Sequence, residues 1–192
     1  IKKFPSQKYY LNAKTNSGRN YQSKKNLDLT KYSGSIKDEA EKLYIKVKSG
    51  TPIKEIKETL EKKNQHLAFE PTDFGPLFEG QTNEGTIGGV LSCNFAGPRR
   101  FKVGSARDHI LGFKGVNGKG EIIKSGGTVV KNGTGYDLSK VITGSFGTLS
   151  VFTEISIKVL PKPDLTKTLV ISNPHLKKGL EHLGIALSSS CD

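Results

Sequence analysis

The 192-residue sequence has no methionine, no tryptophan and only two cysteines. It also has no apolar run near the roughly 18 residues that a membrane-spanning helix needs. Each absence excludes something. Cys93 and Cys191 stand far apart, with no CxxC or histidine-rich spacing, which argues against a metal centre or a redox pair. The opening IKKFPSQKYY lacks the apolar segment of a secretory signal, so the expected location is cytoplasmic, or peripheral at the inner face of the cell membrane. Without a methionine at position 1, Ile1 is not an ordinary translation start, and residues 188–192 follow a helical pattern with no closing element. A partial or processed chain, with sequence missing on both sides, is the expectation.

Several catalytic signatures are missing as well. In GVNGKGEIIKS the pair Gly118-Lys119 is followed by Gly120 where a phosphate loop needs Ser or Thr, and no GxGxxG dinucleotide fingerprint occurs. Ser145 lies in TGSFG, not in the GxSxG elbow of a hydrolase, and none of the four histidines is paired with it by spacing. Asn132-Gly133-Thr134 matches a glycosylation sequon, a coincidence in a chain without a secretory signal.

What is present begins with charge. The formal net charge is +12, and a nucleic-acid-binding module is one reading of it, recognisable by binding that weakens steeply with salt. The distribution argues against that reading. Residues 1–63 carry 16 Lys and Arg against 7 acids, whereas residues 64–160 carry 10 against 8. Most of the excess is lysine interspersed with glutamate, the pattern of a solvated surface. Arginine is scarce, yet Arg99, Arg100 and Arg107 fall within nine positions. A guanidinium fork suits phosphate, carboxylate or a polar ring edge, and also suits a structural ion pair.

The hydrophobic pattern predicts an α+β chain. LYIKVK, residues 43–48, alternates like a half-buried strand, and Ser49-Gly50 turns the chain. Thr51 as cap and Pro52 at the first helical position predict a helix with Ile53, Ile56 and Leu60 on its apolar stripe, ending near Lys63-Asn64. HLAFEP predicts a strand, giving β-α-β. Residues 110–116 and 121–123 predict an antiparallel pair joined by a turn at 117–120. A short helix is expected at 137–142, then a strand through VFTEISIKVLP ended by Pro161. Residues 9–22 read weakly as a strand into a loop. Beyond Pro161 and Pro163 a new unit is expected, with TLVIS as a strand and a helix opened by Asn173 and Pro174 that packs through Leu176, Leu180 and Leu183.

The stretch EGTIGGVLSCNFAGPRR, residues 84–100, is short of bulk. Gly85, Gly88, Gly89 and Gly97 each forgo about 0.5–1 kcal/mol relative to alanine, so something must offset them. Either the backbone adopts angles reserved for glycine, or a ligand approaches too closely for a Cβ. Further glycine-dense segments lie at 104–112, 126–127 and 133–147. Closely spaced N–H groups there could satisfy the phosphate and carbonyl oxygens of a flat, charged ligand. Plain tight turns would use the same residues, and composition leaves both readings open.

The ordered motifs T-I-G-G, A-G-P-R-R, R-D-x-I-L-G, K-N-x-x-G-Y-D-L and T-E-I-S-I-K-V-L-P resemble the FAD-binding subunits of glycolate oxidase, within the p-cresol methylhydroxylase and vanillyl-alcohol oxidase group of flavoproteins. The resemblance covers most of residues 43–161. It implies an α+β, PCMH-type FAD-binding domain of two α/β subdomains over residues 1–162, incomplete at its N-terminal end. Residues 163–192 would begin a truncated cap domain.

By the same resemblance FAD is the cofactor, a 2-hydroxy acid such as glycolate is the substrate, and the partners are a second flavoprotein subunit and an iron–sulfur subunit that passes electrons to a quinone, with no nucleic acid involved. Pro71, Thr86, Ile87, Gly88 and Gly89 would run along the flavin and diphosphate. Ser92 and Gly97 would touch the cofactor, Arg107, Asp108 and Ile110 would continue that wall, and Ile155 would sit beside the adenine. No catalytic base is assigned. A cofactor-holding subunit without its own turnover is a further reading. The chain departs from the family where a glycine-rich diphosphate loop is expected, having NAKTNSGR, residues 12–19, with the single Gly18, and at Ser150, which replaces a glycine.

Overall fold

The computed structural model describes residues 29, 31–73, 85–127, 136–168, 170–172 and 175–189. The chain divides into two compact units, residues 1–162 and 163–192. The expected strand at 9–22, the segment 12–19, the sequon, Asn173, Pro174 and Cys191 lie outside the described residues.

The first unit is built on a five-stranded antiparallel sheet. Its strands are β1 (Ser35–Glu39), β2 (Tyr44–Lys48), β4 (Ile110–Asn117), β5 (Ile122–Gly126) and β6 (Ser150–Lys158), in the order β1-β2-β6-β4-β5. Two short strands, β3 (Gln65–His66) and β7 (Leu160–Pro161), pair with each other. Around the sheet come α1 (Ile53–Glu61), α2 (Ile87–Cys93), α3 (Arg100–Val103), α4 (Ala106–His109) and α5 (Leu138–Ile142). This is the α+β class that the pattern predicts.

Alternation decides which face of the sheet is covered. Ile45 and Val47 of β2 and Ile155 and Ile157 of β6 are wholly buried and lie opposite one another across the ladder, while Lys46 and Lys48 point the other way. On that second face Glu154 joins three strands, receiving Lys46 from β2 at 2.7 Å and Lys114 from β4 at 3.3 Å. The carboxyl is held below its ordinary pKa, first by the hydrogen bond from Lys46. Inside, Ile56 and Leu60 of α1, Ile87 and Leu91 of α2, and the edge-to-face pair Phe113 and Phe152 complete the core.

Several expectations need correction. Thr51 does not cap α1: its hydroxyl donates to Lys48 O at 2.7 Å and accepts the Gly34 N–H at 3.0 Å, serving the turn after β2. Pro52 is extended and is itself the N-cap residue, so the helix starts at Ile53. HLAFEP forms a ladder only at its first residue. Leu67, Ala68 and Phe69 are buried in a turn closed by the Glu70 N–H to Leu67 O, because an apolar run can fill the core without pairing as a strand. β2 and β3 therefore belong to different sheets, and no β-α-β unit forms. The strand through Pro161 breaks at Val159, and Pro161 lies within β7.

In the second unit the described residues of TLVIS form no strand, and α6 (Leu176–Ser188) follows. Leu176, Leu180 and Leu183 share one stripe of α6, yet this unit by itself buries none of the helix's residues.

Candidate functional site

The glycine-rich stretch folds as the start of α2, and its amides are bonded to the chain itself. Two segments zip together there: Ile53 N–H donates to Gly85 O at 2.9 Å, Ile87 N–H to Thr51 O at 3.0 Å and Gly88 N–H to Ser49 O at 2.8 Å. The Gly89 N–H reaches the Thr86 hydroxyl oxygen at 3.3 Å, so Thr86 caps α2. The orphan donors of a helix start, the groups most suited to an anion, are in this way engaged within the protein.

At Gly88 and Gly97 the two expected reasons for glycine give way to a third. Gly88 has an ordinary helical position, and a Cβ on it would lie 2.8 Å from Ser49 O and 2.9 Å from Ser49 Cβ. One on Gly97 would lie 2.8 Å from both Glu70 Cβ and Glu70 O, and the Gly97 N–H donates to Phe69 O at 2.9 Å. Close approach of the chain to itself excludes side chains at both positions. Gly85 differs: no described residue lies within 4 Å of a Cβ built there. That open backbone beside Thr86 is where a flat ligand could come against the main chain.

Around α2 the structure gathers most of the candidate residues. Asn94 ends the helix in the left-handed region, and its Oδ1 accepts the Arg107 N–H at 2.9 Å. Arg107 Nη2 donates to Thr143 O at 2.9 Å, the Gly144 N–H to Leu91 O at 3.0 Å and the Phe146 N–H to Ser92 O at 2.7 Å. Ser92 is half-buried on this junction. Asp108 turns inward on its own helix, accepting the Ser105 N–H at 2.8 Å and the Ser105 hydroxyl at 3.0 Å, bonds that hold its carboxyl below the usual range.

Gly97 ties the same region to the turn that leads into buried Pro71. Ile87, Ile110 and Ile155 belong to the apolar core, with Ile155 paired between Val47 and Phe113. Ile155 and Ile110 thus lie within the core, their side chains turned away from any surface a cofactor could touch.

The paired arginines divide. Arg99 Nη1 lies 3.4 Å from His66 Nε2, and the Arg99 N–H reaches a Glu70 carboxylate oxygen at 3.4 Å, which fastens the AGPRR turn to β3. Arg100 faces outward, its guanidinium 5.1 Å from the centre of the exposed Phe101 ring. Burial, then Arg99, lowers the His66 pKa. Burial also lowers that of His109, whose ring packs 5.3 Å from Phe69 and lies 2.9 Å from Val103 O through Nε2. Sequence reasoning missed Asn94, His66 and His109. The polar side chain closing a helix just before AGPRR was the available signal for Asn94, and the histidines gave none.

Among the described residues no group of three or more His, Cys, Asp or Glu is placed to hold a metal ion, and no helix is long and apolar enough to cross a membrane.

Comparison with known proteins gives a family and a set of relatives. The model of the family described as FAD binding domain matches residues 13–126. The chain is 41% identical over 143 residues to glycolate oxidase subunit GlcE of Escherichia coli (strain K12), covering 74% of this chain and 39% of that protein. It is 34% identical over 151 residues to a D-lactate dehydrogenase of Anaerostipes hadrus, covering 79% of this chain and 30% of the relative. Glycolate oxidase subunit GlcD of Bacillus subtilis (strain 168) is 44% identical over 85 residues, 44% of this chain and 18% of that one. The matches therefore span two-fifths or less of these relatives' lengths. Among solved structures, an alkyldihydroxyacetonephosphate synthase superposes with a TM-score of 0.58 at 24% identity, over 73% of this chain and 23% of that one, a likeness of fold.

Proposed function

Because the chain belongs to the FAD binding domain family, we propose that it holds FAD and takes part in oxidising a small 2-hydroxy acid, glycolate or D-lactate being the first to try. The observation that carries this reading is the family match over residues 13–126, joined by the identity to a glycolate oxidase subunit. The main chain at Gly85 supports it physically, since no described residue lies within 4 Å of a Cβ placed there and a planar group could come against it beside Thr86.

Bound FAD would supply the hydride acceptor for the substrate's α-carbon. The chain's own residues bind and orient. Pro71, Thr86, Gly88, Gly89, Ser92 and Gly97 form the wall at backbone level, while Ile87, Arg107, Asp108, Ile110 and Ile155 hold that wall from behind. The α2 amides are already bonded internally, so this wall offers shape and the Ser92 hydroxyl more than a row of vacant donors.

GlcE and GlcD are named as subunits, which supports a multi-subunit assembly for this chain as well; a second flavoprotein subunit and an iron–sulfur subunit are the partners this reading adds. Residues 163–192 begin a cap domain, and the assembly is cytoplasmic or peripheral to the membrane. The test is to purify the complete protein, measure bound and added flavin by absorbance and fluorescence, and follow glycolate- and D-lactate-dependent reduction of a dye, alone and with its partners. Absence of flavin after purification together with no uptake of added FAD would overturn the reading.

A further inference from the structure

We propose that Asn94 is a positioning residue, fastening α4 and the end of α5 to the C-terminal end of α2 and thereby fixing the Ser92 side of the flavin wall. The inference rests on the FAD-binding reading above.

Asn94 has φ 53° and ψ 43°, a left-handed conformation that asparagine tolerates better than most residues. Its N–H turns back to Leu91 O at 3.1 Å and closes α2. That turn aims the side chain at the first turn of α4, where the Arg107 N–H has no partner within its own helix. Oδ1 accepts that N–H at 2.9 Å, so one residue ends one helix and caps the next.

The held arginine then extends the tie. Arg107 Nη2 donates to Thr143 O at 2.9 Å, at the end of α5. Gly144, at φ +85°, fits beneath it: a Cβ there would lie 3.2 Å from Arg107 Nη2 and 3.4 Å from Asn94 Cβ. The Gly144 N–H returns to Leu91 O at 3.0 Å and the Phe146 N–H to Ser92 O at 2.7 Å. Three helix ends thus meet at the residue next but one to Ser92. None of these contacts needs a ligand, so the junction is formed before the cofactor arrives, and a wall fixed in advance binds without first being ordered.

The test uses the complete protein and FAD. Asn94→Gly keeps the left-handed backbone and removes the amide, whereas Asn94→Asp keeps an acceptor at the same place. FAD affinity is read by fluorescence titration, with the flavin absorption band as a second readout and thermal midpoints and circular dichroism as controls for folding. Asn94→Gly should weaken FAD binding by up to about tenfold, because a wall no longer fixed in advance has to be ordered on binding, and shift the flavin band, while Asn94→Asp stays within about twofold of wild type.

Gly144→Ala presses on the same junction from the other side and should weaken binding in the same direction, which keeps the proposal testable if Asn94→Gly folds poorly. Wild-type affinity and an unchanged flavin band in Asn94→Gly or, should that variant not fold, in Gly144→Ala would overturn this inference alone. Equal losses in the Gly and Asp variants would do the same. A wild-type protein that takes up no FAD would overturn the family reading, and this inference with it.

Discussion

Gly88 lies against the backbone of Ser49 so closely that a methyl group could not be placed between them: its Cβ would fall 2.8 Å from Ser49 O, on the same residue whose carbonyl accepts the Gly88 N–H. The contact locks the start of α2 to the turn that follows β2. Glycine is needed there for chain-on-chain packing, a requirement separate from any ligand.

Gly88→Ala should therefore destabilise the protein by about 1–3 kcal/mol, the usual cost of forcing atoms into a packed site. Gly85→Ala meets no described residue within 4 Å and should leave stability unchanged, or raise it by up to about 1 kcal/mol through a less flexible unfolded chain. Chemical denaturation checks both. FAD affinity separates them further, because only Gly85→Ala is expected to weaken binding in a protein of undiminished stability; equal stability losses in the two variants would refute the distinction.

His109 makes stability depend on pH. Burial holds its ring below the ordinary histidine pKa, so as pH falls the unfolded chain takes up the proton first. Stability is whole above about 6.5, the unfolded value, and declines as pH drops from there towards the folded-state pKa. His66 shifts in the same direction and contributes to the same slope. In His109→Gln, unfolding free energies measured between pH 7 and pH 5 should show a shallower slope, with the remainder supplied by His66. An identical slope would contradict the assignment.

Glu154 acts with the opposite charge. Its carboxyl is depressed by Lys46 and Lys114, so its contribution is present above the unfolded glutamate pKa of about 4.3 and is lost as pH falls through the folded value. Glu154→Gln should cost about 1 kcal/mol at neutral pH, where the two lysines lose their shared partner. The two proteins should converge in acid, and a difference that persists at low pH would show that packing, not charge, is responsible.

Asp108 serves its own helix. Asp108→Asn weakens the bonds to the Ser105 N–H and hydroxyl and should cost about 1 kcal/mol, the usual magnitude for a capping residue. FAD affinity should stay within about threefold of wild type. A much larger loss of affinity at unchanged stability would place Asp108 on the cofactor.

The sequence by itself determined the α+β class, the β2 strand, the α1 stripe, the hairpin of β4 and β5, the short α5 and the family, because alternation, turn chemistry and motif order are local properties of the chain. Only the tertiary structure decided that Leu67 to Phe69 fill the core without pairing, that Thr51 serves a turn instead of a helix, and that Gly88 and Gly97 are small for Ser49 and Glu70. It also decided that Arg99 turns inward to His66 while Arg100 does not. Each of those outcomes depends on a partner distant in the chain, and spacing along a sequence carries no record of which distant atoms will come within a few ångströms.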